Sequence, residues 1–279
     1  MKTAVAVGLM ILASPIDTWI QFSRQQLDRA GLEKVVTSDG AVYWRGGGKK
    51  KSETLVLLHG VNDQAGTWFA VVPALARDYR LIIPDLAGHG ESEPKSGPIT
   101  YANMLEQLDA ILKSERSRNA TLVGNSMGGW IAMLYAFDHP GKVRRLVLED
   151  ASGMAWPLSG VPFYPKNREE AAAMMRALNG PDDKTSDEVL DAFLARKDQP
   201  LSRFTLPDVL THLVDARLSE LKMPVTLIWG RDDGILPLAY AEALSKRIAG
   251  SKLRVIDGAA HIPHRQQPEK FVRCVKGIC

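Results

Sequence analysis

Six consecutive residues, Gly124-Asn125-Ser126-Met127-Gly128-Gly129, constrain this chain more than any other stretch. They follow an apolar, β-compatible run, Ala120-Thr121-Leu122-Val123, and precede a helix-compatible run over 130–136. Gly-x-Ser-x-Gly at a strand-to-helix junction is the context of a nucleophile elbow, where a serine is lifted out of a sharp turn. The turn leaves no room for side chains beside the serine, and Gly124 and Gly128 supply the missing bulk. The Met127 N–H then opens a helix and can face a developing oxyanion. The alternative is a glycine-rich loop whose serine only caps the helix.

A length of 279 residues allows one large α/β domain or two small ones, and 45% hydrophobic content supports a sizeable core. A net charge of only +3 leaves no nucleic-acid footprint, and Lys49-Lys50-Lys51 reads as a solvated turn between two strand-like runs. Cys274 and Cys279 both lie at the extreme C-terminus, without a CxxC or a Cys/His cluster. Two free thiols on a fraying helix are expected in preference to a local disulfide. No metal-ligand spacing appears, and Gly46-Gly47-Gly48 lacks a nucleotide-binding pattern, so neither a metal nor a cofactor is expected.

After Lys2, the run Thr3-Ala4-Val5-Ala6-Val7-Gly8-Leu9-Met10-Ile11-Leu12-Ala13 has the character of a signal-peptide core and is too short for a conventional bilayer span. Ser14-Pro15-Ile16-Asp17 reads as a helix start, with a capping serine, proline at the first position and an acid in the first turn. Ile16, Trp19, Ile20 and Leu27 fall on one face, and Gly31 can end the helix. Arg24 and Arg29 add positive charge. An uncleaved interfacial anchor, with membrane contact through residues 1–30, and a cleaved export signal stand as equal readings. Both place the protein at the cell envelope; a plain buried helix, the third reading, leaves it cytoplasmic.

Strand-like runs recur with helical segments between them. Residues 34–37 and 41–44 read as a hairpin around Asp39-Gly40. Residues 54–58, 80–83, 120–123, 145–148, 225–229 and 253–256 read as further strands, with helices over 67–77, 101–115 and 237–248. This alternation predicts an α/β fold with a mostly parallel central sheet flanked by helices. The interval 153–218 breaks the pattern: it holds several prolines and two helical patches, 168–178 and 186–196. It reads as a helical cap. The organisation is therefore an N-terminal apolar segment and helix (1–33), a core (34–152 and 219–279) and a cap (153–218).

Four segments besides the serine turn follow strand ends, where open parallel sheets hold their ligands. They are His59-Gly60-Val61-Asn62, Asp85-x-x-Gly88-x-Gly90-x-Ser92, Gly230-Arg231-Asp232-Asp233 and Gly258-Ala259-Ala260-His261. With these, the chain resembles the α/β-hydrolase family over nearly its whole length after about residue 34. Gly-Asn-Ser-Met-Gly-Gly, the short cap and Arg29-Ala30-Gly31-Leu32 make it similar to bacterial family V lipases and monoacylglycerol lipases. The resemblance implies the α/β-hydrolase fold, with the cap inserted after the sixth core strand. It implies Ser126 as nucleophile, His261 as base and Asp233 as acid, in that family's chain order Ser, acid, His. Backbone N–H groups of Val61 and Met127 would form the oxyanion hole. Asp232 and Asp150 compete for the acid role, and His264 competes less well for the base. His59 would order its loop and Asp85 its glycine-rich turn, while His89, His139 and His212 suggest only surface or local hydrogen-bonding roles.

The function expected is a serine carboxylic-ester hydrolase acting on a small-molecule acyl ester, through an acyl-enzyme and without a cofactor. Met154, Trp156, Leu158, Val161, Phe163, Tyr164, Met174, Met175, Leu178, Phe193 and Phe204 could pack the cap or line an acyl pocket. The alternative is a C–C bond hydrolase of the meta-cleavage-product type, whose acidic substrate calls for a cation; Lys166, Arg168 and Arg203 are available. Haloalkane dehalogenases and epoxide hydrolases resemble this fold with Asp where Ser126 stands. A non-catalytic binding protein on the same scaffold is the third reading.

Overall fold

Eight strands form one sheet in a computed structural model that describes residues 14–49, 53–157, 160–196 and 199–279. The apolar run 3–13, Lys50, Lys51 and Leu158 lie outside these residues. The strands are β1 (Glu33–Val36), β2 (Val42–Gly46), β3 (Thr54–Leu58), β4 (Arg80–Asp85), β5 (Ala120–Asn125), β6 (Val143–Glu149), β7 (Val225–Gly230) and β8 (Lys252–Ile256). Their spatial order is β1-β2-β4-β3-β5-β6-β7-β8. β1 and β2 form the expected hairpin, β2 is also antiparallel to β4, and every other pairing is parallel.

The helices are α1 (Pro15–Arg29), α2 (Val72–Leu75), α3 (Tyr101–Ser114), α4 (Met127–Asp138), α5 (Arg168–Asn179), α6 (Asp187–Leu194), α7 (Leu206–Thr211), α8 (Leu238–Arg247), α9 (Pro263–Gln266) and α10 (Pro268–Val275). They cover both faces, which is why the central strands are apolar throughout rather than alternating. Val56, Leu58, Ile82, Leu122 and Leu148 face a core shared with Met104 and Leu108 of α3 and Ile131 and Tyr135 of α4. Leu55, Leu57, Ile83, Val123 and Val147 face the opposite core, shared with Leu27 of α1, Trp68, Leu75 of α2 and Phe271 of α10. Each such fully buried aliphatic side chain contributes roughly 1.5–3 kcal/mol relative to exposure.

Two local expectations need correction. The single helix read over 67–77 is a 3-10 segment, Ala65–Ala70, followed by the short α2. Pro73 lies in the first turn of α2, where its missing N–H breaks no intrahelical bond, so a new helix starts there. Cys274 and Cys279 are joined by a disulfide rather than free, their Cα atoms 4.8 Å apart.

α1 begins as its residues dictate: the Ser14 hydroxyl accepts the Asp17 N–H at 3.1 Å, and Pro15 is its first residue. It is tied to the sheet side of the molecule by polar contacts. Arg24 donates to Gln64 Oε1, Glu91 Oε1 and Asp85 Oδ2, and the Trp44 indole donates to Asp28. Arg24 is thus engaged with carboxylates. Among the described residues no helix is long and apolar enough to cross a membrane. Between β6 and β7 the described residues hold α5, α6, α7 and the 3-10 turns Pro200–Arg203 and Asp215–Glu220, with no strand.

Candidate active site

β5 lies between β3 and β6, with Gly124 opposite Leu58 on one side and Leu148 on the other. The chain leaves β5 at Ser126 with φ 52° and ψ −117°, a sparsely populated conformation for a residue with a side chain. Backbone bonds hold it there. The Ser126 N–H donates to Glu149 O at 2.9 Å, and the Ser126 carbonyl accepts from Gly129, Trp130 and Ser152. The flanking glycines are dictated by space. A Cβ on Gly124 would sit 2.3 Å from Gly128 O, and one on Gly128 would sit 2.1 Å from Leu58 O. The Ser126 hydroxyl makes no protein hydrogen bond among the described residues and faces a cavity.

His261 lines the same cavity. Its Nδ1 is 2.8 Å from Asp233 Oδ2, and both side chains are almost fully buried. The other Asp233 oxygen accepts the Ile235 and Leu236 N–H groups at 2.8 and 3.0 Å, which fixes the carboxylate plane. The His261 backbone is clamped as well: its N–H donates to Leu178 O and its carbonyl accepts from Asn125 Nδ2. Asp232 is exposed and does not reach His261.

Asp150 is fully buried beside this pair. Its Oδ1 accepts the Gly230 N–H at 3.0 Å, while Oδ2 has no partner. Burial, and then the charges of Asp233 and Glu149, hold the Asp150 carboxyl well above the usual carboxylate range. In its protonated form it can donate to Asp233 and so support the acid rather than replace it. Asp150, Asp233 and His261 are of metal-ligating type, with atoms within 4.8 Å of one another. Asp233 Oδ2 is bonded to His261 Nδ1, and backbone donors engage Asp233 Oδ1 and Asp150 Oδ1, which leaves Asp150 Oδ2 unpartnered among the described residues.

The Val61 and Met127 N–H groups have no backbone acceptor among the described residues. Val61 follows β3 and Met127 begins α4, so both lie at strand ends next to Ser126. Asn62 holds the Val61 loop. It has φ 62°, its Nδ2 donates to Gln199 Oε1, and its Oδ1 accepts the Leu201 N–H. This ties the loop to the segment between β6 and β7.

The cavity has a volume of about 550 Å³. Phe163, Met174, Met175, Leu178 and Phe193 line it, joined by Pro15, Ile16, Trp19 and Ile20 from the N-terminal helix. Of the other apolar residues of the β6–β7 segment, Trp156 packs on Tyr240, and Phe204 on Tyr101 and His89. Lys166, Arg168 and Arg203 do not line the cavity. Arg168 pairs with Asp187 and Asp191, and Arg203 donates to the Gly88, Pro94 and Gly97 carbonyls.

The remaining histidines have structural surroundings. His59 accepts the Leu86 N–H at Nε2 and bonds Gly60 O through Nδ1, ordering both loops. Asp85 accepts from the Ala65 and Glu91 N–H groups and from Arg24. His89 is buried rather than at the surface, bonded to Ala87 O; burial, with the nearby His59, pushes its pKa down to about 3. His212 bonds Asp208 O, and His139 packs on Tyr135. A pairing not apparent from sequence is that of His264 with Glu149. Both are fully buried, with Nδ1–Oε2 at 2.8 Å, and His264 Nε2 meets the Thr67 hydroxyl at 3.0 Å. Glu149 also carries the carbonyl that holds Ser126, so this pair braces the serine turn from beneath.

Residues 55–273 match the family model described as the alpha/beta hydrolase family. The chain therefore belongs to the α/β-hydrolase family. It is 32% identical over 249 residues to the pimeloyl-[acyl-carrier protein] methyl ester esterase of Aromatoleum aromaticum, covering 80% of this chain and 97% of that protein. It is 28% identical over 242 residues to the 2-hydroxymuconate semialdehyde hydrolase of Pseudomonas sp. strain CF600, covering 79% and 84%. Among solved structures, a bacterial membrane phospholipase A superposes with a TM-score of 0.79 at 22% identity, covering 94% of this chain and 90% of that one, a likeness of fold. With the site, these relatives make the protein a hydrolase of the α/β fold with esterase relatives.

Proposed function

We propose that the protein is a serine carboxylic-ester hydrolase using Ser126, His261 and Asp233. One observation carries this reading. A buried Asp233–His261 pair bonded at 2.8 Å opens onto the cavity that also receives Ser126, and the Val61 and Met127 N–H groups beside it have no backbone acceptor among the described residues. His261 takes the proton from the Ser126 hydroxyl as that oxygen attacks the ester carbonyl. Asp233 holds the imidazole with Nδ1–H toward the carboxylate, leaving Nε2 as base, and stabilises the imidazolium that forms. The Val61 and Met127 N–H groups receive the oxyanion; one such donor is typically worth about 10²–10³ in rate. His261 returns the proton to the leaving alcohol, and water activated by the same histidine releases the acid from the acyl-enzyme.

The apolar cavity suits an acyl chain, and residues 153–218 serve as its cap. The N-terminal segment through about residue 30 would bring the site to a membrane surface at the cell envelope; the C-terminal disulfide fits such an oxidising compartment. The relative that hydrolyses 2-hydroxymuconate semialdehyde favours C–C hydrolysis as a second reading.

Fluorophosphonate labelling of the folded protein tests the first reading. A single adduct on Ser126, lost in Ser126→Ala, is expected; an unlabelled protein overturns it. Rates on p-nitrophenyl esters against a vinylogous 1,5-diketone separate ester from C–C hydrolysis, with the ester expected to be faster.

A further inference from the structure

Arg265 stands on α9, four residues after His261, on the wall of the catalytic cavity. Its guanidinium lies 4.5 Å from the centroid of the Trp19 ring of α1. Among the described residues it forms no ion pair, and no acceptor receives a hydrogen bond from its side chain. Asp63, also on the cavity wall, stays beyond ion-pair distance and accepts the Gln64 N–H instead. Other partly buried arginines of this chain are satisfied: Arg24 by Asp85 and Glu91, Arg80 by Glu115, Arg203 by three carbonyls. Arg265 is half-buried, and none of its five N–H donors has a protein acceptor among the described residues. Burial lowers its pKa, but an arginine starts so high that it stays charged. The Trp19 face holds the guanidinium plane in place, which lowers the entropy lost when it meets a ligand. Arg196, exposed on the same cavity and also without an ion pair among the described residues, adds positive charge there.

We infer that Arg265 is an anion-recognising subsite of the cavity, so that the preferred substrate is an amphiphilic ester carrying a phosphate or carboxylate group in addition to its acyl chain. The planar guanidinium fork matches either oxyanion through two parallel hydrogen bonds, and the apolar wall takes the chain. This specificity rests on the ester-hydrolase reading given above.

Two matched substrate pairs test it in the full-length protein. One pair is a 1-acylglycerol and the corresponding 1-acylglycerol 3-phosphate; the other is a methyl alkanoate and the monomethyl ester of the dicarboxylic acid of equal length. The anionic member is expected to have the higher kcat/KM, by about 10- to 100-fold and mainly through KM. Arg265→Met should bring that ratio close to one, and Arg265→Lys should restore part of it. Whichever pair shows the larger preference identifies phosphate or carboxylate as the recognised group. Binding of octyl phosphate, octanoate and octanol, measured by calorimetry on wild type and Arg265→Met, reads the same subsite without turnover. A protein that hydrolyses no ester but binds the octyl anions through Arg265 would break the ester reading and keep the subsite. Equal kcat/KM within both pairs, a ratio that Arg265→Met does not move, or an equal loss on both members of a pair overturns the subsite.

Discussion

The floor and the roof of the cavity are built on different physics. The floor is made of strand ends. Ser126 is pinned by backbone bonds to Glu149, Gly129, Trp130 and Ser152, and His261 by bonds to Asp233, Leu178 and Asn125. The roof is made of side chains from helices far apart in sequence: Ile16, Trp19 and Ile20 from α1, Met174, Met175 and Leu178 from α5, and Val189 and Phe193 from α6. Most of these are half-buried and apolar. A floor of directional bonds tolerates little displacement, as the proposed nucleophile would require. A roof of dispersion contacts can be reshaped by substitution without unfolding the protein. On the proposed reading the reacting groups sit on the floor and the roof shapes the cavity, with Leu178 and Asn62 joining the two.

The largest test of this contrast lies on the floor. Ser126→Ala should reduce ester kcat by at least about 10⁴-fold with little change in urea midpoint, since Ala fits the space Ser leaves. Comparable turnover in that variant would show that the floor does not carry the chemistry. Gly128→Ala should act on stability instead. Its Cβ meets backbone at Leu58 O, which cannot move aside, and a loss on the order of 4 kcal/mol or more is expected in denaturant titration.

A smaller effect sits outside the cavity, at His89, between His59 and Phe204. His89 is kept neutral in the folded state, with a pKa near 3 against 6.5 when unfolded. The unfolded chain therefore binds more protons between these values. Stability is present above pH 6.5 and is lost as pH falls toward 3, by on the order of 3 kcal/mol at pH 4. Melting curves of His89→Gln should be flatter than wild type over pH 6.5–4; parallel curves would remove His89 from the account. The smallest effect belongs to the roof. Met175→Ala should move the preferred acyl length upward, changing relative kcat/KM by about tenfold, with the folded state retained. A change in all chain lengths alike would mean that Met175 supports the floor and does not shape the cavity.

The legibility of the sequence divides along the same line. The floor could be read because its determinants are local. Gly124 and Gly128 flank Ser126, and the strand runs are apolar because both sheet faces are covered; on the roof, the Ser14–Pro15 start of α1 is legible for the same reason, from capping chemistry. The carboxylate contacts were harder. Asp233 and Asp232 differ by one residue, and only the turn after β7 turns one inward and leaves the other exposed. The Glu149–His264 brace joins residues 115 apart and has no sequence signature. Arg265 looks like any surface arginine until Trp19, near the other end of the chain, is laid against it. Of the cations visible in sequence, Arg168 is paired with Asp187 and Asp191 and Arg203 with three loop carbonyls, and none of Lys166, Arg168 and Arg203 lines the cavity.

Asn62 joins the two halves. It sits directly after Val61, the proposed oxyanion donor, and its amide grips both Gln199 and Leu201. Any guest bulky enough to lift residues 199–201 also pulls on the loop that carries the Val61 N–H. On the proposed reading, entry and reaction thus share one latch: an oversized acyl chain would be penalised twice, once in fitting and again in turnover, and discrimination by size would extend beyond what cavity volume alone sets.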